Sequence, residues 1–245
     1  MPEMVAGISS LNRSLAALRN LSPPRKPAVR CEMCSLPLAD VHQHLVEVSS
    51  QRLLCACEAC ALLFSGQAAD AKYRRVPRLS RFLPDFCLDD AQWDRLLIPI
   101  NMAFFYQSTP RKRPVALYPS PAGAMESLLE LESWNEIVAQ NPVLQTMEPD
   151  VEALLVNRIG RLGPQGPAPQ GSPASGQEAK YFLAPIDECY KLVGVIRANW
   201  RGLSGGKKVW GQIDAFFVDL EARSQTRKKS PPDESPQRDP TRCTT

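Results

Sequence analysis

Two Cys-x-x-Cys pairs stand close together in the first quarter of the chain. Cys31 and Cys34 form the first pair, and Cys57 and Cys60 follow after 22 intervening residues. Two such pairs can bring four thiolates to the corners of one tetrahedron, which is the ligand arrangement of a structural zinc ion. The spacing therefore predicts a zinc site. Because four protein ligands leave no coordination position for a water nucleophile, it predicts a structural site and not a catalytic one.

Three further residues near these pairs could also bind a metal. Cys55 precedes Cys57 by two residues, so the two thiols would point to the same face of a strand. His42 and His44, the only histidines in the chain, are also two residues apart. Cys55 could replace one of the four cysteines or remain a spare thiol, and either histidine could be an additional ligand.

Iron is the alternative to zinc at the four cysteines. The same sulfurs would hold iron in a rubredoxin-like electron-transfer protein. A glycine often lets the backbone turn around such a metal, but Ser35 and Ala61 stand at those positions, and no aromatic residue lies between the two pairs. These departures favour zinc over iron, although the missing glycines are also unusual for a zinc ribbon.

The segment between the two pairs predicts a β-hairpin. Residues 42–48 alternate as a half-buried strand does, and residues 51–56 form its expected partner. Residues 29–68 then have the layout of a zinc ribbon or treble clef, so we expect a zinc-ribbon-like metal module there. Structural zinc binds small peptides with about 10–16 kcal/mol of free energy, more than roughly 40 residues can gain from a few apolar side chains. We therefore expect this module to unfold without its metal.

Composition limits the classes of protein that this chain can belong to. Its 245 residues are 44% hydrophobic, enough to bury a sizeable core without help from the metal. The 29 basic and 26 acidic residues nearly balance, which argues against nucleic-acid binding. Five of the eight cysteines cluster within 31–60, which is typical of metal binding in a reducing compartment. Without a secretory pattern or an apolar run long enough for a membrane span, we expect a cytoplasmic protein.

Beyond the metal module, the pattern predicts an α+β domain over 69–222, with a mixed antiparallel sheet packed against helices. Alternating or continuous apolar runs predict strands at 72–76, 102–106, 115–118, 151–156 and 180–184. The last two would form a hairpin interrupted by a flexible insertion at 160–179, which is rich in proline and glycine. At the two ends of the chain, we expect a leader at 1–28 with a short amphipathic helix and a disordered tail at 223–245.

Four helices are predicted within this domain. The first spans 88–97 with Asp89 or Asp90 as its cap, and the third begins near Asp187. Ser120 followed by proline predicts the start of the second, because proline is favoured at the first helical position. A fourth helix follows the glycine-rich turn that ends at Gly206. The apolar stripes of the last two helices are wide enough to face a core.

The sequence offers no convincing active site. The two histidines lie in the metal module, apart from Cys87, Cys189 and Ser120, which are the candidate nucleophiles. Gly123 alone is too little for a phosphate-binding loop, and the glycine turn before Lys207 follows a helix and lacks the serine or threonine that such a loop needs. We therefore expect a protein that is not an enzyme.

Five segments give the chain a resemblance to a known family. They are 31–34 (CEMC), 54–64 (LCACEACALLF), 118–123 (YPSPAG), 151–158 (VEALLVNR) and 199–206 (NWRGLSGG). From position 31 to about 220 the chain resembles an uncharacterised family of bacterial proteins defined only as a domain of unknown function. Genes of that family lie beside uptake nickel-iron hydrogenase subunits and their maturation proteins. The resemblance implies an accessory role, with Cys31, Cys34, Cys57 and Cys60 as ligands.

Together these observations predict a non-catalytic zinc-binding accessory protein that binds a protein partner. The family resemblance implies that this partner is a hydrogenase subunit or a maturation factor. A rubredoxin-like iron protein is the first alternative. A nucleic-acid-binding zinc ribbon is the second, and the nearly balanced charge argues against it.

Overall fold

A computed structural model describes residues 29–66, 71–159, 179–202 and 205–226. The predicted leader helix, nearly all of the insertion at 160–179 and most of the tail lie outside these residues. Within them, the chain is α+β, with a three-stranded sheet, a seven-stranded sheet and five α-helices.

The smaller sheet is antiparallel and surrounds the cysteine pairs. Strands β1 (Gln43–Glu47) and β2 (Arg52–Ala56) form the predicted hairpin, and β3 (Tyr73–Arg75) pairs with the other edge of β1. Helix α1 (Glu58–Phe64) follows β2 directly. Because β3 belongs to this sheet, the unit extends beyond the expected boundary at 68. We call the described residues of 29–76 the metal module and those that follow the sheet domain.

The sheet domain is built on seven strands. They are β4 (Arg81–Phe82), β5 (Met102–Ser108), β6 (Arg113–Ser120), β7 (Gly123–Ser127), β8 (Glu152–Asn157), β9 (Lys180–Pro185) and β10 (Gln225–Thr226). Their spatial order is β10-β4-β9-β8-β5-β6-β7, and every neighbouring pair is antiparallel except β10 and β4. The predicted pairing of β8 with β9 is confirmed, and the predicted strands at 102–106 and 115–118 pair with each other as β5 and β6.

Helices cover both faces of this sheet. They are α2 (Asp90–Arg95), α3 (Leu131–Gln140), α4 (Ile186–Asn199) and α5 (Gly206–Arg223). Successive strand residues point to opposite faces, so Phe104 packs in the core under α4 and α5, whereas Phe105 packs in the core under α2 and α3. The central strands are therefore apolar on both sides, which explains their nearly continuous apolar sequence.

The first predicted helix is confirmed with its cap. Asp89 is the N-cap of α2: its side chain accepts a hydrogen bond from the backbone of Gln92, and the Gln92 side chain accepts one from the backbone of Asp89. This reciprocal pair is a capping box, which satisfies two backbone donors that the helix leaves free.

The predicted helix start at Ser120 is wrong. Ser120 ends β6 and pairs across a tight turn with Gly123, the first residue of β7. The Ser120 hydroxyl donates to the carbonyl of Gly123, whose φ of 136° is a conformation that side chains rarely adopt. The local serine–proline signal was overridden because β7 completes the edge of the sheet, and the helix begins only at Leu131.

The last two helices begin and end slightly differently from the expectation. Helix α4 begins at Ile186, so Asp187 lies in its first turn and is not its N-cap. Helix α5 continues to Arg223, and Gln225–Thr226 pairs with β4, so ordered structure extends a few residues into the expected tail. None of the described helices combines the length and the apolar character that a membrane span requires.

The metal module packs directly against the sheet domain. Val46 and Val76 are buried in the core that α4 and α5 cover. Beside them, the fully buried carboxylate of Asp150 accepts hydrogen bonds from the Gln51 side chain and from the backbone of Thr109, each at 2.9 Å. One carboxylate therefore joins the β1–β2 turn of the module to the end of β5.

Candidate metal centre

The first cysteine pair lies in a tight turn that precedes the hairpin. The backbone N–H of Ser35 donates to the carbonyl of Cys31 at 2.7 Å, and the N–H of Cys31 donates to the carbonyl of Leu36 at 2.8 Å. Ser35 has a φ of 63°, so the turn does need the left-handed conformation that glycine usually supplies. Serine adopts it here, which shows why the missing glycine did not prevent the turn.

The second pair lies at the start of α1. Cys57 is the N-cap, and its sulfur accepts a hydrogen bond from the backbone N–H of Cys60 at 3.4 Å. Ala61 continues the helix and is fully buried, so no glycine is needed there.

The four cysteines come together as the spacing predicts. Their sulfur atoms all lie within 4.8 Å of one another. The sulfurs of Cys34 and Cys57 are 3.7 Å apart, far longer than a disulfide bond of about 2.05 Å. A tetrahedral site with metal–sulfur distances of about 2.3 Å has edges of about 3.8 Å. Cys31, Cys57 and Cys60 are buried and Cys34 is exposed, so the group lies just beneath the surface.

The pKa values of Cys31 and Cys60 are shifted in opposite directions. Burial alone would raise the pKa of Cys31, but hydrogen bonds from the backbone of Cys57, Cys34 and Met33 lower it to about 6. Burial, followed by contacts with neighbouring thiols, raises the pKa of Cys60 to about 12. The Cys31 thiol therefore ionises more easily than an ordinary cysteine, and the Cys60 thiol ionises less easily. A divalent cation would stabilise all four as thiolates.

Sequence reasoning missed Glu32, which connects the first pair to the hairpin. Its backbone N–H donates to the carbonyl of Cys55, and its carboxylate accepts from the N–H of Cys55, each at 2.9 Å. Arg52 contacts the other carboxylate oxygen at 2.7 Å. These contacts fix the first cysteine pair against β2. The residue type gave no signal, because a glutamate between two cysteines is ordinarily solvent-exposed.

The three additional candidate ligands form a group of their own. One ring nitrogen of His42, one of His44 and the sulfur of Cys55 lie within 4.8 Å of one another. All three side chains are partly buried. Burial, then the charges of Glu32 and Cys31, raises the pKa of the Cys55 thiol.

The sheet domain contains the candidate nucleophiles Cys87, Cys189 and Ser120. Cys189 is fully buried in the core, and its burial raises the pKa of its thiol well above the usual value. A cavity of about 500 Å³ lies between the β1–β2 turn, β5–β7 and α4. Gly123 lines it, whereas Ser120 and Lys207 are not among the described residues that do, so the sequence motifs around these residues do not converge there.

Comparison with known proteins gives the family of this chain. Residues 30–224 match the model of DUF5947, a family of unknown function, and the chain belongs to this family. No curated protein matches the chain, and no solved structure does. The predicted membership of an uncharacterised family is confirmed, whereas the association with hydrogenase genes stays a prediction.

Proposed function

We propose that this chain is a non-catalytic zinc protein whose metal module presents a surface to a protein partner. The observation that carries the zinc assignment is the group of four cysteine sulfurs, with the Cys34 and Cys57 sulfurs at nearly the spacing of a tetrahedral zinc site. The first two ligands lie in a turn and the last two at the start of a helix, with a hairpin between them. A treble clef has this order of elements, and in this respect the module would be zinc-ribbon-like.

Exposed apolar side chains on the ligand-bearing helix support partner binding. Leu62, Leu63 and Phe64 occupy the last turn of α1 and are 60%, 78% and 47% exposed. Consecutive large apolar side chains at this level of exposure are typical of an interaction surface. Since Cys57 is the N-cap of α1, a metal that fixes the start of the helix would also fix the position of these side chains.

A hydrogenase subunit or maturation factor is the partner that the family resemblance suggests. Tagged protein purified from its native cells should retain such a partner, and Leu63→Ser should weaken the retention. Val218→Ser is the matched control, because Val218 is a comparably exposed apolar residue on α5. If wild-type protein retains neither a hydrogenase subunit nor a maturation factor, the hydrogenase part of the proposal fails.

Metal content and the visible absorption spectrum test the zinc assignment. Freshly purified, untagged protein should contain zinc and should be colourless. Iron together with thiolate charge-transfer bands would instead identify a rubredoxin-like electron-transfer protein, and the accessory role would be abandoned.

A further inference from the structure

His42, His44 and Cys55 share one face of the β1–β2 hairpin. The strand register places His44 directly opposite Cys55, and directly opposed side chains lie close enough to interact. His42 precedes His44 by two residues, and residues with this spacing lie on the same face. The rings of the two histidines are in edge-to-face contact, with their centroids 4.8 Å apart. The three potential ligand atoms are therefore brought together by the register of the hairpin.

Each histidine ring has its Nδ1 atom occupied by an oxygen acceptor. Nδ1 of His44 lies 2.8 Å from a carboxylate oxygen of Asp187 on α4, and Nδ1 of His42 lies 2.9 Å from the carbonyl oxygen of Ala39. A carbonyl oxygen can only accept, so Nδ1 of His42 carries the proton. The same argument holds for His44 beside the carboxylate. A neutral imidazole that carries its proton on Nδ1 has a free lone pair on Nε2, and this is the form of histidine that binds metals.

The Nε2 atom of His42 is buried and has no hydrogen-bond partner among the described residues. Buried polar atoms are nearly always paired, so an unpaired one requires an explanation. A metal ion held between the two rings and the Cys55 sulfur would provide the missing partner. Carboxylate and carbonyl oxygens on the distal nitrogens are the usual outer partners of metal-bound histidine, because they fix the tautomer and orient the ring.

We propose that His42, His44 and Cys55 form a second metal site, separate from the four-cysteine site, for a late divalent transition-metal ion such as Zn²⁺. Two imidazoles and one thiolate suit this class of ion. Binding forms three metal–ligand bonds and releases the Cys55 thiol proton to solvent. The described residues supply no fourth cysteine, histidine or carboxylate to this group. The fourth coordination position is therefore open to water or to a donor atom from a partner.

The second site connects the metal module to the sheet domain, because its ligands lie on β1 and β2 while Asp187 lies on α4. It also adjoins the four-cysteine site through Glu32, which holds the backbone of Cys55. The two sites nevertheless use different ligands, so the experiments below separate them.

Zinc titration of the full chain, starting from protein that holds one zinc ion, tests the proposal directly. The chain contains two histidines, so their ring signals in the NMR spectrum report on this group alone. The second equivalent of zinc should shift the signals of both rings. If saturating zinc leaves both rings unshifted, or if both rings are already metal-bound at the first equivalent, the proposal is overturned.

Variants then assign the ligands. Cys55→Ala should remove the second equivalent of zinc and retain the first, whereas Cys87→Ala, in the sheet domain, should retain both. Loss of the first equivalent in Cys55→Ala would place Cys55 in the four-cysteine site and overturn the proposal. Asp187→Asn should weaken the second equivalent about 10- to 100-fold, the usual effect of losing an outer partner of a metal-bound histidine.

Glu188→Gln is the matched control for Asp187→Asn. Glu188 is the next residue on α4, and its carboxylate pairs with Arg223 instead of a histidine. It should leave the affinity for both equivalents unchanged. Equal weakening by Glu188→Gln and Asp187→Asn would mean that the carboxylate of Asp187 does not orient His44, and it would contradict the assigned geometry.

Discussion

In the sheet domain, Phe104 and Phe105 point into two separate apolar cores, whereas in the metal module three of the seven residues in the buried cluster are cysteines. The sheet domain can therefore be stabilised by apolar burial on both faces of its central strands. The metal module buries few side chains, so with the proposed zinc site it would depend on ligand bonds. The two regions should therefore respond differently to metal removal and to mutation of their cores.

Replacing one cysteine ligand should have the largest effect. Cys31→Ser should abolish metal binding at the four-cysteine site, because serine is a poor zinc ligand and the remaining thiolates lose their common cation. The lost free energy of metal binding is about 10–16 kcal/mol, so β1, β2 and β3 should lose their structure. Metal content by mass spectrometry and NMR spectra of the module would measure this.

Cys189→Ala is the control for this variant. Cys189 is also buried, but it lies in the core of the sheet domain. Its replacement should lower stability modestly and leave the metal content unchanged. Retention of the metal in Cys31→Ser would contradict the four-thiolate assignment.

A large core substitution should affect the sheet domain instead. Phe182 is fully buried and contacts the rings of Phe82 and Phe217. Phe182→Ala should lower the free energy of unfolding by about 3–5 kcal/mol, because it removes apolar contacts and leaves a cavity. Denaturant unfolding measures the change. Below the unfolding transition the variant should still hold its metal, and loss of the metal there would show that the two regions are not stabilised separately.

The contact between the two regions should have an intermediate effect. Asp150→Ala removes the acceptor shared by Gln51 and Thr109 and leaves two partly buried N–H donors unpaired, which costs about 1–3 kcal/mol. The φ of 67° at this position adds strain for alanine. Asp150→Asn keeps an acceptor oxygen and a residue type that tolerates this conformation, so it should lose less stability. Equal losses in both variants would argue against this account of the contact.

The smallest predicted effect concerns pH. Burial raises the pKa of Glu152 above its usual value, despite the backbone N–H of Glu148 and the nearby Arg81. A carboxyl whose pKa is raised in the folded state binds more protons there than in the unfolded state, so it destabilises the fold at neutral pH. This cost should shrink as the pH falls through the raised pKa and vanish below the pKa of the unfolded state, where both states are protonated. Glu152→Gln should therefore weaken the pH dependence of the melting temperature, and an unchanged dependence would refute this.

The sequence alone predicts the four-cysteine group and most strands of both sheets. Ligand spacing and continuous apolar runs are local signals, and both are visible without the fold. The group of His42, His44 and Cys55 could not be recognised in the same way, because His44 meets Cys55 only through the register of the hairpin. Asp187, which contacts His44, comes from α4 and is distant from it in the sequence. Contacts of this kind depend on tertiary structure.

The wrong prediction of a helix start at Ser120 also arises because tertiary structure is not visible in the local sequence. Serine followed by proline is a local helix signal, but at Ser120 the tight turn to Gly123 and the pairing of β7 with β6 prevailed. Tertiary pairing routinely overrides local preference of this size. The missing glycine after Cys34 led to a wrong expectation for the opposite reason. The local rule that this turn needs a left-handed residue is correct, but Ser35 adopts that conformation in place of glycine.

Amide hydrogen exchange of the full chain, with and without a chelator, tests the central claim most directly. If the metal stabilises the module and apolar burial stabilises the sheet domain, chelation should remove the protection of β1 and β2 while β5 and β8 keep theirs. If β1 and β2 remain protected without metal, the module is stabilised by its packing against the sheet domain, and the claim that it depends on a metal would be contradicted.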